Sequence, residues 1–151
     1  MRTVALFAMI SLGLAMAGCG DTTVSTDDDH TRLVTLPDGT RIRVEVMTHP
    51  NDMLRGMMFR ESLAPDRGML FLYGSPGKYS YWMFQVKIPL DILWMDASRT
   101  VVEISENTPP CPADSKRCQT YGGKYPAQFI LELAAGTVAK HNLRVGNTLT
   151  F

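Results

Sequence analysis

From Arg32 onward, apolar and polar residues alternate with a period of two, the mark of strands that bury one face. Leu33-Val34-Thr35-Leu36 runs into the turn residues Pro37-Asp38-Gly39, after which Ile42, Val44 and Val46 alternate with Arg41, Arg43 and Glu45. That pattern predicts a β-hairpin. The period then changes. Met53, Leu54, Met57 and Met58 fall at helical offsets within Asn51 to Phe59, with Thr48 available as a cap and Pro50 suited to the first turn. Gly68 to Tyr73 (GMLFLY) reads as a buried strand closed by Gly74-Ser75-Pro76-Gly77, and Tyr79 to Phe84 alternates again. Leu90 to Met95 and Thr100 to Ile104 flank an Asp96-Ala97-Ser98-Arg99 turn as a second hairpin, with Pro89 where a strand can begin. Gln128 to Leu133 is strand-like, Gly136 interrupts it, Thr137 to Asn142 has room for one helical turn, and Asn147 to Phe151 closes the segment. Seven or eight strands, short connections and one real helix predict a mostly β fold, an antiparallel sandwich or small barrel rather than any parallel sheet.

The first residues follow another rule. Met1-Arg2 gives a positive start, and Thr3 to Ala17 is an uncharged apolar run too short for a membrane span but suited to the core of a secretory signal. The run ends at Met16-Ala17-Gly18-Cys19, which resembles the bacterial lipobox, with Met16 where leucine is usual. The resemblance implies that residues 1–18 are a lipoprotein-type signal peptide and that Cys19 carries the lipid. Several acyl chains at about 0.8 kcal/mol per buried methylene anchor a protein stably without a spanning helix. Residues 19–31, polar and containing Asp27-Asp28-Asp29, read as a flexible tether, and residues 32–151 as the single domain that a chain of 151 residues can support. The expected location is the extracytoplasmic side of a bacterial envelope membrane. Gly20 rather than aspartate after Cys19 favours the outer membrane, facing the periplasm.

Charge and cysteine usage narrow the partners. Fifteen basic and fifteen acidic residues give a net charge of zero, with no basic field to hold a phosphate backbone, so nucleic acid is not an expected partner. With Cys19 assigned to lipid, Cys111 and Cys118 remain as an even pair in an oxidising compartment and are expected to bridge. Metal binding by the pair would need two further ligands, and His30, His49 and His141 lie far off with no matching spacing; a redox dithiol usually shows Cys-x-x-Cys.

Three segments are distinctive together: Arg55-Gly56-Met57-Met58-Phe59-Arg60, Gly68-Met69-Leu70-Phe71, and Tyr81-Trp82-Met83 followed by Ile88-Pro89-Leu90-Asp91-Ile92. They resemble the DUF192 family, also called UPF0127, and Tyr121, Leu131-Glu132-Leu133, Ala135-Gly136 and Val145-Gly146 continue the likeness across Leu33 to Phe151. The resemblance implies a small, mostly β, jelly-roll-like sandwich, of a kind often secreted or attached to bacterial envelopes, and implies no established activity. The chain departs from the family pattern at two places: Phe84-Gln85-Val86 stands where Lys-Asn-Thr is usual, and Asn147 where aspartate is.

Asp91 and Glu132 each interrupt an apolar strand, and Arg55 and Arg60 at the end of the Met-rich helix are the natural cations for them. Such pairs are as often architecture as function, because removing one partner leaves an unpaired charge costing about 3–5 kcal/mol. The functional alternative is that Arg55, Arg60, Trp82, Asp91, Tyr121 and Glu132 line a concave polar site for a small ligand. Two carboxylates could also serve glycoside chemistry with Tyr81 and Trp82 stacking on the sugar, although no serine stands in a nucleophile context. Met47, Met53, Met57, Met58, Met69, Met83 and Met95 invite a Cu(I) hypothesis, against the simpler reading that thioethers fill an irregular core. No motif marks a catalytic residue, a metal site or a cofactor. A non-catalytic binding module for a glycan or an envelope protein therefore ranks first, an enzyme acting on envelope glycans second, and Met-based metal handling third.

Overall fold

The computed structural model of the protein describes residues 30–112 and 117–151; the expected signal peptide, Cys19 and nearly all of the expected tether lie outside the described residues. The first hairpin forms as its alternation requires, β1 (Thr31–Thr35) antiparallel to β2 (Arg41–Met47). Pro50 opens a short helix, α1 (Pro50–Arg55), whose N-cap is His49 without a side-chain cap, in place of Thr48. The helix stops well before Phe59 because Gly56 adopts a positive φ of 44°, and Phe59 one of 66°. Met57 still reaches the core, where it is 1% exposed.

The connection from Thr48 to Asp66 carries the chain across the sheet, so β3 (Arg67–Gly77) returns parallel to β2. This corrects the expected antiparallel arrangement: a long connection through a helix suffices for a crossover, which short turns would forbid. Next come β4 (Ser80–Trp82), the fully buried β5 (Leu90–Met95), β6 (Val101–Thr108), β7 (Thr120–Gly122), β8 (Ala127–Ala134) and a second short helix, α2 (Thr137–Lys140). The result is mostly β: a mixed six-stranded sheet in the order β1-β2-β3-β8-β5-β6, and a two-stranded ribbon of β4 and β7.

The C-terminal segment ties the two edges of the sheet together. Thr35 and Thr150 exchange backbone hydrogen bonds on β1, while Leu149 N–H donates to Arg99 O and Val101 N–H to Asn147 O beside the start of β6. The sheet thereby closes toward an open barrel and its edge strands lose free backbone groups. Strand alternation sorts the apolar residues into two clusters. Val34, Ile42, Val44, Leu70, Leu93, Leu131 and Leu133 pack with Val138, Leu143 and Leu149 on one face. Met69, Phe71, Ile92, Trp94 and Ile130 pack with Met57 and Met83 on the other. The methionines of the domain thus serve as apolar filling in and around this second cluster and, for Met95, in the first.

A ribbon lies over the second cluster. Trp94 donates its indole N–H to Tyr79 O at 2.8 Å, and Gly122 in β7 lies so close to the indole that a Cβ there would meet Trp94 Cζ2 at 2.1 Å. The Cys111–Cys118 disulfide forms, with a Cα separation of 5.4 Å, in the excursion leading to β7. No helix among the described residues is long and apolar enough to cross a membrane.

Candidate functional site

Register decides what the two strand carboxyls can share. On β5 and β8, Asp91 stands opposite Leu133 and Ile92 opposite Glu132, so Asp91 and Glu132 point to opposite faces of the sheet. Asp91 is fully buried on the first face. Its Oδ1 accepts the Asn107 N–H at 2.7 Å, and its Oδ2 accepts the Val138 N–H at 2.8 Å in the first turn of α2. Both oxygens are occupied by backbone donors. Asp91 pins β6 and α2 to the centre of the sheet, outside the concave site that sequence reasoning assigned to it.

Glu132 lies on the other face, in a transverse row with Glu45, Met69 and Ile92. Arg60 forms a two-pronged ion pair across this row, but with Glu45, at 2.5 and 2.7 Å. The expected pairing of Arg60 with Asp91 or Glu132 is replaced by one with a residue of the first hairpin. Glu45 occupies an outward position in the β2 alternation, which was the available signal for it.

With the Arg60 guanidinium paired to Glu45, Glu132 is 5% exposed and its Oε2 has no hydrogen-bond partner. Burial pushes its carboxyl up from 4.5 to about 8, partly opposed by the charge of Arg60. It therefore holds its proton near neutrality.

Glu132 lines a groove of about 480 Å³. Sheet side chains Phe71 and Tyr73 share the floor with it, α1 contributes Met53, Leu54 and Arg55, and β4 with the following turn contributes Tyr81, Trp82, Phe84 and Val86. The phenols of Tyr73 and Tyr81 are hydrogen-bonded at 3.1 Å, and burial raises both above the ordinary tyrosine value. Tyr81 is fixed edge-on between Phe71 and Trp94, with centroids 5.2 and 6.0 Å away. At the mouth, Trp82 and Phe84 lie 5.3 Å apart and are 46% and 42% exposed, and Leu54 is 66% exposed. Apolar walls with one buried polar group are the common form of small-ligand sites.

Of the sequence candidates, Arg55, Trp82 and Glu132 come together here. Arg60 lies in the adjoining depression beside Glu45, and Tyr121 pairs with Tyr81 across the ribbon without lining the groove. Tyr73, Leu54 and Phe84 were missed. Tyr73 continues the period-two series of Met69 and Phe71, which was legible; the exposure of Leu54 and Phe84 depends on where the turns end. Among the described residues, no cluster of three or more histidine, cysteine or acidic side chains is arranged to hold a metal ion.

Comparison with known proteins agrees with this architecture. A crystal structure of a candidate transcription regulator from Sinorhizobium meliloti 1021 is 31% identical, with a TM-score of 0.69, over 78% of this chain and 89% of that one. A protein of unknown function from Novosphingobium aromaticivorans DSM 12444 is 27% identical, with a TM-score of 0.72, over 80% of this chain and 85% of that one. No curated protein matches. The family model of DUF192, described as "Uncharacterized ACR", matches residues 33–151, and the chain belongs to that family.

Proposed function

We propose that this chain is a lipid-anchored, non-catalytic ligand-binding module of the bacterial cell envelope, and that the groove beside α1 receives the ligand. One observation carries the reading: a carboxyl group is buried in an apolar groove with an oxygen left unpartnered. An unpaired buried polar group costs about 1–3 kcal/mol, which a fold built for stability alone removes by an apolar substitution. A ligand carrying a donor supplies the missing partner. Trp82 and Phe84 at the mouth offer aromatic surface to its body.

Glycan hydrolysis by a carboxyl pair loses its basis, since Asp91 and Glu132 cannot flank one bond from opposite faces of a sheet. The regulator name of the Sinorhizobium meliloti protein is not extended to this chain, whose zero net charge provides no attraction for DNA. The lipid anchor rests on Met16-Ala17-Gly18-Cys19; labelling with a radioactive fatty acid, lost in Cys19→Ala, is its test. The binding site is tested by thermal unfolding of residues 20–151 against cell-wall fragments, sugars, amines and metal ions. Binding at one hundred times Kd stabilises by about 2.7 kcal/mol. A shift that disappears in Trp82→Ala and Glu132→Gln supports the groove; a flat panel, or a shift indifferent to both substitutions, refutes it.

A further inference from the structure

We propose that the occupant of the groove is an organic ammonium ion on an apolar or aromatic body, its N–H group meeting Glu132 and its body lying against Trp82 and Phe84. The inference rests on the reading of the groove as a ligand site and names the class of ligand it takes. Its geometric basis is the buried Glu132 carboxyl, whose Oε2 has no hydrogen-bond partner, in a groove lining shared with the rings of Phe71, Tyr73, Tyr81 and Trp82. A carboxylate with aromatic faces is the recurrent surrounding of bound organic cations, because ring faces attract positive charge and the carboxylate pairs with it. A neutral donor would satisfy one oxygen and leave the acid as it is. A cation makes the ionised form favourable, so it gains both the hydrogen bond and the ion pair in a site shielded from water.

The charged and titratable groups around Glu132 are consistent with that assignment. Tyr73 from β3 and Tyr81 from β4 are neutral and bonded to each other, and Arg60 is ion-paired with Glu45 of the same transverse row while its charge still partly favours the ionised form of Glu132. The flanking strand neighbours are Met69 and Ile92. Arg55 from α1 stands exposed at the rim, where solvent screens it. Binding is coupled to a proton: an ammonium ion entering at neutral pH displaces the proton of Glu132 to solvent, leaving a carboxylate–ammonium pair. With Glu132 near pH 8, the affinity falls roughly 50-fold between pH 8 and pH 6.

The test is calorimetric titration of the protein with 2-phenylethylamine, 2-phenylethanol and 3-phenylpropionate, three ligands with similar bodies and cationic, neutral or anionic heads. At pH 8 the amine binds at least tenfold more tightly than the other two, its affinity falls at pH 6, and it releases a proton on binding. Glu132→Gln, with native circular dichroism and thermal unfolding, loses both the preference and the pH dependence. If the alcohol or the acid equals the amine, and Trp82→Ala weakens it, the ligand class is wrong while the groove remains a ligand site. If none of the three binds, the inference falls, and the ligand-site reading falls with it only if the wider thermal-unfolding panel is also flat.

Discussion

Replacing Asp91 by asparagine separates the two buried carboxyls of the sheet by what each one does. In the wild type, one carboxylate holds the Asn107 N–H at 2.7 Å and the Val138 N–H at 2.8 Å, tying together segments far apart in sequence. Asparagine keeps the shape but turns one of the two acceptors into a donor, so whichever way the amide is oriented, one backbone N–H faces an NH₂ group. The substitution removes one charge-assisted hydrogen bond and leaves a buried donor unpaired, for a cost of about 2–4 kcal/mol. For a domain of this size that lowers Tm by about 10 °C. Guanidinium unfolding followed by circular dichroism measures the free energy, and titration of any groove ligand measures the second consequence: binding is unchanged, because Asp91 faces the other side of the sheet. Wild-type stability in Asp91→Asn, or loss of binding by a variant that is still folded, would show that Asp91 does not hold these segments from the far side of the sheet.

Glu132 gives the opposite pH behaviour to an ordinary ion-paired acid. The folded chain keeps this proton up to about pH 8 while the unfolded chain releases it near 4.5, so stability falls as pH rises from 5 to 8, by up to roughly 4 kcal/mol. Denaturant unfolding at both pH values shows this slope in the wild type and its loss in Glu132→Gln. Gly122→Ala places a Cβ within 2.1 Å of the Trp94 ring at a φ of +73°, and is expected to cost about 3 kcal/mol or more in the same assay. Reducing Cys111–Cys118, which closes a short loop, lowers stability by roughly 2.5 kcal/mol in the chain-entropy model, read as a shift of the unfolding midpoint in dithiothreitol.

Alternation located the first hairpin, whose burial is one-sided, while short apolar runs between turn residues located the second hairpin, the buried strand at Gly68 to Tyr73 and the strand containing Glu132. The β2–β3 parallel pair was not, since periodicity carries no information on which strands become neighbours after a crossover. The helical offsets of Met57 and Met58 extend the predicted helix past Arg55, whereas Met57 is buried and Met58 packs partly buried against the second cluster from turns rather than from a helix. At the site, sequence reasoning singled out both strand acids. Their separation onto opposite faces follows from register, which a single strand cannot display on its own. Arg60 was recognised as a cation awaiting a partner, and its choice of Glu45 depends on the same crossover that made β2 and β3 neighbours.

Everything proposed for the groove rests on Glu132 as a buried, unpaired carboxyl group at its floor. The direct measurement is its own titration, followed by NMR through the side-chain ¹³C carboxyl resonance and assigned by its absence in Glu132→Gln. A midpoint near pH 8 is expected. A midpoint near the ordinary value of 4.5 would mean that water or a cation already satisfies the carboxylate, and would contradict the proposal.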